Sequence, residues 1–153
     1  MATDDTIQYL ETTTADGTAL GGAEMHRRQV ETFLAGGAIA AGDVVAWDIS
    51  KSGAAQAAYV IAAVAVGTVG NAAAMGVALE SAAANQPVKV VISGYVTGAK
   101  CASGVTAGQP LCGPLTVAAT AGLSVAAVTA GVLGVALDNE SGGVVTMMVR
   151  KQF

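Results

Sequence analysis

Few side chains in this sequence have types and spacing suited to chemistry. The single histidine, His26, stands beside Arg27 and Arg28. A catalytic imidazole needs a nucleophile or carboxylate held against it, and no neighbouring pattern supplies one, so His26 reads as a solvated or interfacial side chain. Arg27 and Arg28 carry guanidinium forks that match a carboxylate in two bonds. They are candidates for gripping a partner chain, beside the plainer reading of a solvated pair. Cys101 and Cys112 are too widely spaced for the close pairs of metal sites, and one histidine leaves no four-ligand Cys/His set for zinc. Cys112 reads as a small buried side chain. A disulfide to Cys101 is the alternative, closing a short loop in an oxidising medium.

Asp43, Asp48, Glu80, Asp138 and Glu140 raise the question of a glycosidase pair or a calcium site. Glu80 and Asp138, however, each follow a copy of the tetrapeptide GVAL directly. Strand-end turn chemistry explains both. No GxxxxGK[ST] loop occurs, and GTVGN is not a phosphate fingerprint opening a helix. The residues therefore predict no catalytic activity, no cofactor and no metal. Trp47, the only tryptophan, reads as a core plug in so aromatic-poor a chain, and Phe153 as a side chain packed on the barrel or docked into a neighbouring subunit.

The elements around these residues follow from composition. Hydrophobic types make up 53% of 153 residues, charged types 12% and aromatic types 4%. Disorder is excluded. The apolar content is mainly alanine and valine, which bury little area per side chain, so stability is expected to come in part from subunit contacts. The formal charge is −4, and seven basic residues are scattered along the chain. No basic stripe offers itself to a phosphate backbone, so no nucleic-acid partner is expected. The uncharged runs Ser52 to Leu79 and Cys101 to Leu137 are rich in Ala, Gly, Thr and Ser and lack aromatic belts, which argues against a membrane. MATDDTIQYLETTT is acidic and polar where a signal peptide is basic and then apolar, which predicts synthesis in a cytoplasm.

Charge marks a boundary, because residues 1 to 51 hold 11 of the 18 charged side chains. Residues 1–28 read as an N-terminal arm and 29–153 as a β domain. Within the arm, Ile7, Tyr9 and Leu10 form an apolar island that needs a partner. The stretch from Ala23 to Leu34 permits either a short helix or a strand. Beyond it, DVVAWDI, AYVIAAVAV, PVKVVISGYV and GVVTMMVR are short, β-branched and bounded by glycines, which predicts strands. In PVKVVISGYV, Lys89, Val91 and Ser93 share one face and Val88, Val90 and Ile92 the other. The fold class predicted is all-β, a small barrel or sandwich with an extended N-terminal arm.

An internal repeat adds to this. Ala41-Gly42-Asp43 before VVAW is matched by Ala107-Gly108-Gln109 before PLCG, and Gly76-Val77-Ala78-Leu79-Glu80 by Gly134-Val135-Ala136-Leu137-Asp138. Cys112 falls at the position of Ala46. Two similar β units packed face to face would bury both apolar faces without a helix layer.

The ordered motifs AGDVVAWD, GVALESAAANQPVKVVISGYV, AGQPL and GVLGVALDNESGGVVTMMVRK resemble the capsid decoration, or cement, proteins of tailed bacteriophages, over about residues 29 to 151. The chain departs from that family's pattern at PLCGP and in its long arm. The resemblance implies a β-barrel or β-sandwich protomer, commonly a homotrimer, on the outer surface of the mature icosahedral capsid. Its partner would be the major capsid protein, whose subunits it ties together. The arm, through Ile7, Tyr9 and Leu10, is the expected tie, adding as a strand to a sheet edge. A tail or fibre β domain that attaches to a host surface is the alternative, and a small β-barrel enzyme a third.

Overall fold

The computed structural model describes residues 28–64, 73–115, 122–125 and 131–150. The described part of the ambiguous stretch before Gly36 is a strand, β1 (Gln29–Ala35), with Phe33 and Ala35 buried and Val30 and Thr32 exposed. It is followed by β2 (Val44–Trp47), a 3-10 turn at Gly53–Ala57, β3 (Tyr59–Ala62), β4 (Ala74–Ala78) and the long β5 (Pro87–Lys100). The remaining strands are β6 (Pro110–Cys112), β7 (Ser124–Val125), β8 (Gly134–Ala136) and β9 (Val144–Val149). The fold is all-β, as composition and period predict.

The first five strands close on themselves in the order β1-β3-β2-β4-β5, with β5 returning to pair β1. The ring is antiparallel except between β1 and β3, which run parallel at Leu34↔Tyr59 and Ala35↔Val60. Alternation along each strand fills the interior. Phe33, Val45, Val60, Met75, Val88, Val90 and Ile92 form its core, and Trp47 packs against them. Trp47 is half-buried and meets Phe33 edge to face at 5.4 Å, so the plug reading holds for its position.

The repeat is physical. From β5 the sheet continues through β9, β8 and β6 to β7, and a parallel bridge between Cys101 and Leu123 brings the far end back to the end of β5. This second unit copies the barrel's pairing, with the latter half of β5 taking the part of β1. Interior residues match in pairs across the two units: Val45 with Leu111, Val60 with Leu123, Met75 with Leu133, Ala78 with Ala136, Val90 with Met147. The main-chain bonds match as well. Gly42 donates to the Ala78 carbonyl and Gly108 to that of Ala136, both at 2.8 Å, and both glycines hold positive φ, +82° and +84°. The amides of Ala40 and Thr106 donate to the Asp43 and Gln109 side chains, again both at 2.8 Å.

The two units are not two separate sheets stacked face to face. They share β5, which bends at a register shift between Val96 and Ala99 as it passes from one to the other. The second unit then covers the outer wall of the first, and Val44, Ala46, Val77 and Val91 lie in one cluster with its core. Val91 stands on the face predicted for it, with exposed Lys89 and half-buried Ser93, yet is fully buried because the second unit lies over it.

Candidate functional site

Each described carboxylate considered as a catalytic or metal group is committed to local structure. Asp48 Oδ1 accepts from the Ser50 amide and hydroxyl at 3.1 and 2.6 Å. The Ser50 side chain, then its amide and the charge of Lys51, hold this carboxyl below the usual carboxylate range against the opposing effect of burial. Glu80 accepts from the Lys89 amide at 3.2 Å and Asp138 from the Thr146 amide at 2.8 Å. Both acidic residues that follow GVAL thus tie a strand end to the next strand, as the turn reading predicts. Hydrogen bonding to Thr146, first through its side chain and then its main chain, also lowers Asp138. Glu140 accepts from Gly143 at 2.8 Å and from Gly104 at 3.4 Å. Among the described residues no group of three or more His, Cys, Asp or Glu side chains is placed to hold a metal ion.

The cysteines are unbridged. Cys112 is buried at the place of Ala46 and its thiol lies 3.5 Å from the Ser124 carbonyl. Burial pushes both thiols above their ordinary value, and the charges of Glu140 and Asp138 add to the effect at Cys101. A raised thiol is the opposite of an activated nucleophile.

An ion pair joins the units, beside a main-chain bond from the Lys100 amide to the Gly42 carbonyl at 2.9 Å. Lys100, at the end of β5, reaches Asp43 at 2.6 Å, with the Asp43 side chain 8% exposed and that of Lys100 43%. Asp43 therefore both closes its own turn and anchors the strand that founds the second unit. Its counterpart Gln109 keeps the turn bond without a charge. Sequence reasoning missed this pair because its members are 57 residues apart and nothing local links them.

Of the residues predicted to meet a partner, Ile7, Tyr9, Leu10 and Arg27 lie outside the described residues, as do His26 and Phe153. Arg28 is half-buried immediately before β1. From Gln29 to Phe33 the β1 edge on the β3 side has no strand beside it among the described residues, since β3 pairs only Leu34 and Ala35. A groove there is lined by Glu31, Thr32, Phe33, Leu34, Ala57, Ala58 and Pro87. An open edge beside an apolar groove is the geometry that accepts an extended peptide as an added strand.

No helix among the described residues is long and apolar enough to cross a membrane. No protein-family profile matches the chain, and no curated protein matches it either. Among solved structures it is similar to the N base of the head fiber protein gp8.5 of bacteriophage phi29, with a TM-score of 0.54 and 14% identity. The likeness covers 80% of this chain and 94% of that one. At this identity it is a likeness of fold.

Proposed function

We propose that this chain is a structural protein of a tailed-bacteriophage virion, bound to the outside of the mature icosahedral head, where it stabilises the shell by bridging subunits of the major capsid protein. The observation that carries the reading is the fold shared with the base of a phage head fiber over nearly the whole of that base. The motif order that resembles decoration proteins supports it independently. The described carboxylates and thiols, spent on turns or raised by burial, fit a scaffold.

The mechanism is linkage. A protein that binds the expanded shell and not its precursor stabilises the expanded state by RT ln(1 + [L]/Kd) per site, about 2.7 kcal/mol at a hundredfold excess over Kd, repeated over every site. In this proposal the arm, with Ile7, Tyr9 and Leu10, and the adjacent Arg27 and Arg28 make the tie to the coat, and the working unit is a homotrimer.

Co-sedimentation with expanded and unexpanded shells of its own phage's coat protein, followed by thermal rupture of the loaded shells, tests the reading. Saturable binding to expanded shells alone and a raised rupture temperature are expected. Removing residues 1–22 should weaken binding. The likeness to a head-fiber base favours a second reading, in which the domain seats a projecting structure on the head. Binding with an unchanged rupture temperature would select that reading, and no binding to either shell overturns both.

A further inference from the structure

The way β3 begins leaves part of the barrel edge without a strand. Leu34 donates to the Ala58 carbonyl at 2.8 Å, and Gly36, just after β1, to that of Val60 at 2.7 Å. The even-numbered residues of β1 thus turn their main-chain groups toward β3, and the period of two gives Val30 and Thr32 the same direction. β3 does not reach them. Before Tyr59 the chain coils into the 3-10 turn Gly53–Ala57, and β3 meets β1 only at Leu34 and Ala35. Among the described residues, the amides and carbonyls of Val30 and Thr32 have no strand beside them on that side. There Ala57 and Ala58 line a groove with Thr32, Leu34 and Pro87. Val30, on the same face as Thr32, is 37% exposed.

The sequence holds a segment that fits this edge. Ile7 and Tyr9 are two residues apart and share one face of an extended chain. We propose that residues 6–10 of the arm dock in extended form on the β1 edge of their own chain, antiparallel to Gln29–Phe33, with Tyr9 against Val30 and Ile7 against Thr32. In that register the amides and carbonyls of Val30 and Thr32 are all paired. Ile7 enters the groove beside Ala57 and Ala58, and Tyr9 covers Val30 as an aromatic and β-branched cross-strand pair. The choice of occupant follows from the connection. The 18 residues Glu11 to Arg28 join the apolar island to the first residue of the edge. A chain of that length with glycines in it spans about 20–25 Å, and neighbouring strands are about 5 Å apart, so the span is sufficient. The tether holds the segment near its edge at about millimolar effective concentration, which a free partner in dilute solution does not match. Entry at Gln29 makes the antiparallel direction the shortest path. The inference goes beyond the head-binding role and needs no shell. Its bearing on that role is that the coat, in binding the arm, must draw Ile7 and Tyr9 off this edge.

The test is amide hydrogen exchange, followed at single residues, in the full chain without shells and in the full chain carrying Ile7→Asp and Tyr9→Asp. The Val30 and Thr32 amides should exchange about tenfold or more slowly in the wild type than in the variant, at rates that do not change on dilution. The Glu31 and Phe33 amides, on the β5 side of the strand, should be alike in the two proteins, which reports an intact barrel. Equal rates at Val30 and Thr32 in the two proteins, whether fast or slow, overturn the proposal. Slow exchange that is lost on dilution also overturns it, since the occupant would then be a second copy. So does a wild type unprotected alone and protected only on expanded shells, since the edge would then take a strand of the coat.

Discussion

Replacing Gly76 by alanine tests the packing of the barrel at its tightest point. An added Cβ would sit 2.2 Å from the Val91 carbonyl oxygen and 2.8 Å from a Val90 methyl. The nearest obstacle is the main chain of β5 at Val91, the partner of Val77 in the β4–β5 ladder, so relief requires the two strands to part by about 1 Å against close packing. Overpacking of this kind costs about 1–3 kcal/mol, and an obstacle that cannot rotate away sets the upper part of that range. The smaller unfolded-state entropy of alanine returns about 0.4–1 kcal/mol. The net expectation is a loss of about 2 kcal/mol, or about 4–8 °C in Tm for a chain of this size. The repeat supplies a second instance, because a Cβ on Gly134 would lie 2.3 Å from the Met148 carbonyl oxygen. It also supplies a contrast in Gly37, where a Cβ meets nothing within 4 Å. Urea unfolding of the three variants is the assay. Gly76→Ala and Gly134→Ala should both lower the midpoint with unchanged m, while Gly37→Ala should leave it level or raise it. Either of the first two unfolding within about 0.5 kcal/mol of wild type, the ordinary scatter for surface changes, would refute the argument that strand approach selects the glycine of GVAL.

Two further expectations concern charge. Asp43→Ala removes both the Ala40 turn bond and the Lys100 partner and should cost about 1–3 kcal/mol. Lys100→Met leaves the turn bond in place and breaks only a pair whose lysine is well solvated, so less than about 1 kcal/mol is expected; urea unfolding separates the two, and an equal loss would deny Asp43 its double role. The carboxyls of Asp48 and Asp138 are lowered in the folded state. The stability they add is complete above the unfolded carboxylate pKa of about 3.9 and is lost as pH falls through the lower folded values. Tm should therefore be level from neutral pH to about pH 5 and fall below about pH 4, and the fall should be shallower in Asp48→Asn/Asp138→Asn; parallel curves for the two proteins would contradict the assignment.

The β class was legible because alternation in PVKVVISGYV and β-branched runs between glycines are local signals, and the structure keeps those faces. The repeat was legible through its turns, since Gly42 and Gly108 stand where only a few residue types fit. What covers a face was not legible. Val91 carries the same pattern signal whether its face meets water or a second unit, and the difference is made by residues far along the chain. The same limit hid the Lys100–Asp43 pair. For the segment before Gly36, Val30, Phe33 and Leu34 fit a helix in isolation, and pairing with β5 on one side and β3 on the other decides for a strand.

The sharing of β5 has a mechanical consequence. A tandem protein whose modules meet across a surface can lose one and keep the other, or come apart at a linker under tension. Here the strand that completes the first module is the founding strand of the second, so neither can melt without stripping partners from the other. Unfolding should be one event, and no stable half should survive proteolysis. A pull applied to one module travels along 14 residues of continuous β5 backbone and meets ladder bonds loaded in shear, all at once, instead of peeling a seam bond by bond. A fold so joined resists stretching along one axis, which the proposed attachment to an expanding shell would demand of it.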